Sequence, residues 1–187
     1  MKTGIILARF QPIHNGHLAL IDKAIMENDE VYIFIGSADK FNKRNPLPIS
    51  LRLQLVEESL KEKYDECDLK NVHVVPLDDL TDESDNSHEW GFYLYSKIVS
   101  TCKNPYFTIY YSDGFEIITT WFPSFILRNN VNLCLLARNA TESGISATEV
   151  RQLIEEDDSN LESVVPNCVY ENRETIKNHI KLSKLIK

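Results

Sequence analysis

The strongest constraint on the fold is a pair of short, unbroken apolar runs: residues 4–8 (Gly-Ile-Ile-Leu-Ala) and 31–35 (Val-Tyr-Ile-Phe-Ile). A strand with one wet face alternates apolar and polar side chains, whereas a run without alternation is buried on both faces. Residues 72–75, 106–111 and 131–136 read as three further strands. Between the runs the apolar spacing turns helical: Leu18, Leu20, Ile21, Ala24 and Ile25 after His17, then Leu53, Leu55, Val56 and Leu60 after Ile49. Trp90, Tyr93, Leu94, Ile98 and Val99 repeat the pattern, as do Val150, Leu153 and Ile154 after Ser146. Further helices are expected around residues 116–122 and, closing the chain, over about residues 169–186. Strands alternating with helices predict an α/β fold, a Rossmann-like doubly wound parallel sheet of about five strands with helices on both faces. A chain of 187 residues is expected to form one domain, residues 1–187, burying about 70% of its unfolded surface. In such a sheet, ligands sit at the carboxyl ends of the strands, near the point where strand order reverses.

Charge and cysteine usage narrow the function. With 20 basic against 28 acidic residues the net charge is −8, which argues against a nucleic-acid or anionic-membrane partner. No run approaches the roughly 18 apolar residues needed to cross a bilayer, and the first residues lack the pattern of a signal peptide. The four cysteines (Cys67, Cys102, Cys134, Cys168) lie more than 30 positions apart, so no zinc-site or redox spacing exists. They are expected as reduced thiols of a cytoplasmic protein.

Chemistry concentrates in Arg9-Phe10-Gln11-Pro12-Ile13-His14-Asn15-Gly16-His17, between the first strand and the first helix. Two imidazoles stand there at the mouth of the sheet, the second near a helix N-terminus whose free N–H groups and dipole favour an anion. Gly16 allows close backbone approach, and Arg9 supplies a permanent planar cation suited to phosphate oxygens. No third ligand sits at a matching spacing, so the histidines are not expected to hold a metal. These residues are equipment for handling phosphate.

The motif Arg-Phe-Gln-Pro-x-His-x-Gly-His resembles the signature of the His-x-Gly-His nucleotidyltransferase superfamily, the cytidylyltransferase-like enzymes. Within it, the spelling is most similar to the archaeal-type nicotinamide-nucleotide adenylyltransferases. Gly36-Ser37-Ala38, Asn45-Pro46 with Arg52, and Ile145-Ser146-Ala147-Thr148-Glu149-Val150-Arg151 extend the resemblance, and Val165-Pro166 before a closing helix completes it. Two separate motifs, each in its strand–helix context, make chance agreement improbable.

The resemblance implies transfer of AMP from ATP to nicotinamide mononucleotide, forming NAD and pyrophosphate. An acceptor phosphate oxygen attacks the α-phosphorus, and the protein's work is positioning and electrostatic stabilisation. His14, His17 and Arg9 are then the catalytic candidates, the imidazoles donating to the α- and β-phosphates. Phe10, Gln11, Gly16, Ser146, Thr148 and Arg151 fall to ATP, with Arg9 and Arg151 gripping the triphosphate from opposite sides. Gly36, Ser37, Ala38, Arg44, Arg52, Trp90 and Asp113 fall to the nucleotide substrate, Trp90 as a platform for the nicotinamide ring. Mg²⁺ rides mainly on ATP phosphates and water, so no carboxylate cage is required. The expected partners are small-molecule nucleotides, with a homo-oligomer implied by resemblance only.

Other readings stand beside these. Arg44 and Lys43 fit a solvated loop as well, Trp90 has core spacing with Tyr93 and Leu94, and Ser146 with Thr148 fits a plain helix cap. The acidic run Asp78, Asp79, Asp82, Glu83 and Asp85 reads as a solvated loop. If it lines the site, it favours a cationic ring. Two departures bear on the acceptor: Ala8 stands where the group commonly has Gly, and Arg44-Asn45-Pro46 reverses the charge of the usual Glu-Asn-Pro. Phosphopantetheine, or a phospho-alcohol with CTP, is therefore an alternative acceptor. A nucleotide-binding regulatory module with little turnover is the alternative from another class. The pattern of a fused Nudix hydrolase is absent, so a stand-alone transferase is expected.

Overall fold

The computed structural model describes residues 1–81, 87–112, 118–137 and 144–186. Along the first half run β1 (Thr3–Ala8), α1 (Asn15–Glu27), β2 (Glu30–Ile35), α2 (Ile49–Lys63), α3 (Glu66–Leu69), β3 (Val72–Pro76) and α4 (His88–Cys102). Then come β4 (Phe107–Ser112), α5 (Ile118–Trp121), α6 (Ser124–Asn129), β5 (Val131–Leu136), α7 (Ala147–Glu156), α8 (Leu161–Val164), α9 (Asn167–Glu171) and α10 (Arg173–Ser183).

The five strands form one parallel sheet in the order β3-β2-β1-β4-β5. The apolar run of β1 now has its reason. Ile6 points into a core built with α1, α2, α7, α9 and α10, and Ile5 into a second core built with α4, α5 and α6. β2 does the same, Ile33 and Ile35 facing the first layer and Phe34 the second. Both faces are covered, so neither tolerates polar alternation. From β1 the chain steps outward to β2 and β3, then crosses back to place β4 on the other side of β1. Strand order therefore reverses between β1 and β4, at whose carboxyl ends a ligand crevice opens.

Several boundaries differ from expectation for local reasons. Helix α1 begins at Asn15, two residues before His17, because His14 takes the extended N-cap conformation. The closing helix is two helices meeting at Asn172, whose amide donates back to the Cys168 carbonyl at 3.1 Å. The helix expected around residues 116–122 is seen as α5, residues 113–117 lying outside those described. Helices α3, α6 and α8 are too short for periodicity to reveal. All four cysteines are free thiols.

Candidate active site at the carboxyl ends of β1 and β2

At the end of β1 the chain leaves the sheet through Phe10, whose φ of 49° lies in the left-handed region. That conformation is uncommon outside glycine and needs its surroundings to hold it. The Phe10 ring supplies part of the hold, being 1% exposed in the first core. Its ring centre lies 4.7 Å from that of His17. The Gln11–Pro12 peptide is cis, and His14 then caps α1, its carbonyl accepting from the His17 and Leu18 amides at 2.9 and 3.2 Å.

The two imidazoles meet closely, with centroids 3.8 Å apart and planes at 33°. Burial, with His14 adding to it, holds the His17 pKa well below the ordinary imidazole value. Its Nδ1 is buried without a hydrogen-bond partner among the described residues. An isolated buried polar nitrogen is costly, and a ligand that accepts from or protonates it removes that cost. Gly16 makes this packing possible: a Cβ there would stand 3.1 Å from Nδ1 and Cε1 of His14 and 3.6 Å from the Ile145 carbonyl oxygen.

Three guanidinium groups gather along the same segment. Arg9 is exposed and donates to Asn45 Oδ1 at 3.4 Å. Its pKa is lowered by desolvation and then by the neighbouring Arg44 and Arg151 cations, with Asp79 opposing. Arg151 donates from Nη1 to the Gln11 carbonyl at 2.8 Å and from Nη2 to Thr148 Oγ1 at 3.2 Å. Arg44 is exposed in the loop after β2, where Asn42 Oδ1 accepts from the Arg44 and Asn45 amides at 3.0 and 2.9 Å. Like charges held together repel, so the cluster is poised for a polyanion.

The remaining candidates divide. Gly36, Ser37 and Ala38 follow β2 beside Arg9. Ser37 is left-handed (φ 51°) and its Oγ donates to Asp79 Oδ1 at 3.1 Å. The Gln11 side chain turns inward, its Oε1 accepting from the Leu47 amide at 2.9 Å, so its amide group is spent on the loop. Ser146 is occupied as well: its amide and hydroxyl both donate to Glu149 Oε2, at 2.8 and 2.6 Å, in a capping box. Arg52 is fully buried and directs Nη1 and Nη2 to backbone carbonyls, away from solvent, while its Nε has no partner among the described residues. Trp90 is 8% exposed in the second core, its centroid 5.5 Å from Tyr93 and 5.9 Å from Trp121. Asp113 lies outside the described residues, as do Asp82, Glu83 and Asp85.

Two residues take contacts that sequence reasoning did not give them. Asn45 is 4% exposed and accepts from Arg9, and Asp79 accepts from Ser37 and offsets Arg9. The signal for Asp79 was its place three residues beyond the end of β3, the strand adjoining β2.

Residues 5–153 match the cytidylyltransferase-like family. The chain belongs to it. Among cytidylyltransferase-like proteins it is similar to the nicotinamide-nucleotide adenylyltransferase of Thermococcus kodakarensis, 29% identical over 183 residues, covering 95% of this chain and 85% of the relative. The enzyme of that name from Saccharolobus solfataricus is 26% identical, covering 100% and 98%. The fold is shared with a bifunctional NMN adenylyltransferase/ADP ribose pyrophosphatase from Francisella tularensis, at a TM-score of 0.70 and 21% identity over 97% of this chain. This chain spans about half (51%) of that protein. A nicotinic acid mononucleotide adenylyltransferase of Plasmodium falciparum has the same fold, at a TM-score of 0.59 and 13% identity. No helix among the described residues is long and apolar enough to cross a membrane.

Proposed function

We propose that this protein is a nucleotidyltransferase that moves AMP from ATP to nicotinamide mononucleotide, releasing pyrophosphate and forming NAD. One observation carries the reading. Two imidazoles 3.8 Å apart follow the central strand at the switch point of a parallel sheet, in the segment whose Arg9 belongs to a cluster of arginines that repel one another. Such a cluster is stable when a polyphosphate lies in it, and the relatives whose names describe this reaction cover nearly the whole chain.

On this reading His14 and His17 donate to the α- and β-phosphate oxygens as negative charge grows there. Arg9 and Arg151 hold the triphosphate, and Arg44 meets a phosphate of either nucleotide. Phe10 and Gln11 shape the floor of the ATP site, and Gly16 admits the nucleotide against the helix start. The amides at the start of α7, with Thr148, face the β- and γ-phosphates. Ser146 joins them once a phosphate displaces Glu149. Gly36, Ser37 and Ala38 line the acceptor, Trp90 serves its ring, and Asp113, outside the described residues, is assigned to the same nucleotide from the resemblance alone. Mg²⁺ comes in on the triphosphate, carried by phosphate oxygens and water. Among the described residues no group of three or more His, Cys, Asp or Glu is placed to hold a metal, and this use asks for none. The protein works on small-molecule nucleotides in the cytoplasm, without nucleic acid or membrane, as one domain that self-associates.

The test is pyrophosphate release from Mg-ATP with and without nicotinamide mononucleotide, measuring NAD in the same tube. Release that depends on the mononucleotide, with NAD in equal amount, is expected. Release with phosphopantetheine or a phospho-alcohol and CTP instead, or with no acceptor at all, would refute the proposed acceptor.

A further inference from the structure

Among the described residues Arg52 is the largest fully buried side chain, at 0% exposure, and no carboxylate there hydrogen-bonds it. It lies in the first turn of α2, immediately after the loop that carries Arg44 and Asn45. Its Nη1 donates to the carbonyls of Arg9 (3.0 Å) and Gly36 (2.7 Å), and its Nη2 to the carbonyl of Ser37 (2.8 Å). Asp79 and Asp39 offset the charge from a distance and the Arg9 cation opposes it, while Nε is buried with no hydrogen-bond partner among the described residues. A buried cation hydrogen-bonded to carbonyls alone is expensive, so the arrangement calls for a reason.

The reason lies in what those carbonyls belong to. The β1–β2 ladder ends at Ala8↔Ile35, with the Gly36 amide donating to the Ala8 carbonyl at 2.9 Å as its final rung. Just beyond that rung both chains turn into left-handed residues, Phe10 (φ 49°) and Ser37 (φ 51°). Each such turn is unfavourable by about 1–2 kcal/mol for a residue with a side chain. Strained turns persist only when neighbours over-determine them. One planar guanidinium spans the two chains where backbone pairing has stopped. From the first turn the chain runs to His14 and His17, and from the second it runs to Arg44 and Asn45. The two segments then meet again where Arg9 donates to Asn45 Oδ1.

We propose that Arg52 is a positioning residue: it touches neither nucleotide, and its guanidinium sets the exits of β1 and β2 so that Arg9, the imidazoles and Arg44 converge. This assigns Arg52 away from the direct contact with the nucleotide substrate that the resemblance implies. The catalytic consequence rests on the nucleotidyltransferase reading above, whereas the clamp itself does not. Lysine keeps the charge but concentrates its donors on one nitrogen, which cannot reproduce the planar fork.

The full-length chain is tested as Arg52→Lys and Arg52→Gln. Amide hydrogen exchange without ligand is expected to speed up in residues 9–13 and 36–38 and to stay unchanged in β4 and β5. With Mg-ATP and nicotinamide mononucleotide, kcat is expected to fall by about 10- to 100-fold in Arg52→Lys, as for a misplaced reacting geometry. Arg9→Ala should cost much less in the Arg52→Lys background than in the native chain, because Arg52 acts through Arg9. Additive losses would make Arg52 an independent ligand contact and overturn the proposal. Faster exchange spread evenly over the sheet would overturn it too, as would failure of both variants to fold. If the native chain turns over neither substrate, the function is wrong, and the exchange pattern still decides the clamp.

Discussion

Arg151 Nη1 donates to the carbonyl oxygen of Gln11 at 2.8 Å, joining residues 140 positions apart. The bond locks the start of α7 against the segment between Phe10 and His14, and so unites the two sequence motifs into one site. Arg151→Lys is therefore expected to weaken ATP binding, raising KM for ATP about tenfold or more, since a bidentate guanidinium is not replaced by an ammonium. Steady-state kinetics with varied ATP checks this. An unchanged KM would detach Arg151 from the nucleotide.

The depressed His17 pKa has a direction that can be measured. Its folded value is lower than its unfolded value, chiefly through burial and then through His14. Above the unfolded value of about 6.5 both states are neutral and the group is indifferent to pH. As pH falls below about 6.5 the unfolded chain takes up a proton that the folded chain refuses, so stability drops. Urea midpoints between pH 7.5 and 5.5 should fall more steeply in the native chain than in His17→Gln. Equal slopes would show that His17 titrates normally.

Gly16→Ala puts a methyl group 3.1 Å from the His14 ring. The ring has to tilt away by a few tenths of an ångström, which parts it from His17 more than it unfolds the helix. The expected outcome is a loss of kcat of about tenfold with a melting temperature within a few degrees of native. A large fall in melting temperature with native kcat would make this glycine structural.

Gly91 is the opposite case. A Cβ there would lie 1.9 Å from the carbonyl oxygen of Trp121 and 2.6 Å from its carbon, so α4 rests on backbone that cannot swing aside. Gly91→Ala is expected to destabilise the protein by at least about 3 kcal/mol, the upper end of overpacking costs. Chemical denaturation reads this directly. A change below about 1 kcal/mol would mean the two helices can slide apart.

Much of the fold was legible because burial on both faces leaves its mark on composition: Ile5 and Ile6 serve opposite cores, and only an unalternated run allows that. The histidine pair was legible through its spacing around Gly16. What sequence could not carry was direction. Nothing in the order of residues says that Arg52 turns inward to three carbonyls while Arg9 stays exposed, since both are arginines near a phosphate motif. Likewise Ser146 has the spelling of a phosphate ligand, yet the carboxylate three residues on claims its hydroxyl. Asp79 was read as solvated because its neighbours are acidic. Its partner Ser37 is 42 positions away and becomes visible only when β2 and β3 pair.

The strand order has a consequence for how the protein is made. Of the five strands of the sheet β1 is synthesised first, and it ends as the middle one, between β2 and β4. While β2 and β3 are already available to pair with it, its other edge stays open until residues beyond Phe107 emerge. The unpaired backbone N–H and C=O groups of that edge, flanked by mostly apolar side chains, are a template for a neighbouring nascent chain. The interval between the synthesis of β3 and β4 is thus the period of greatest exposure to misassembly, and slowing translation there should lower the yield of folded protein more than the same delay placed after β5.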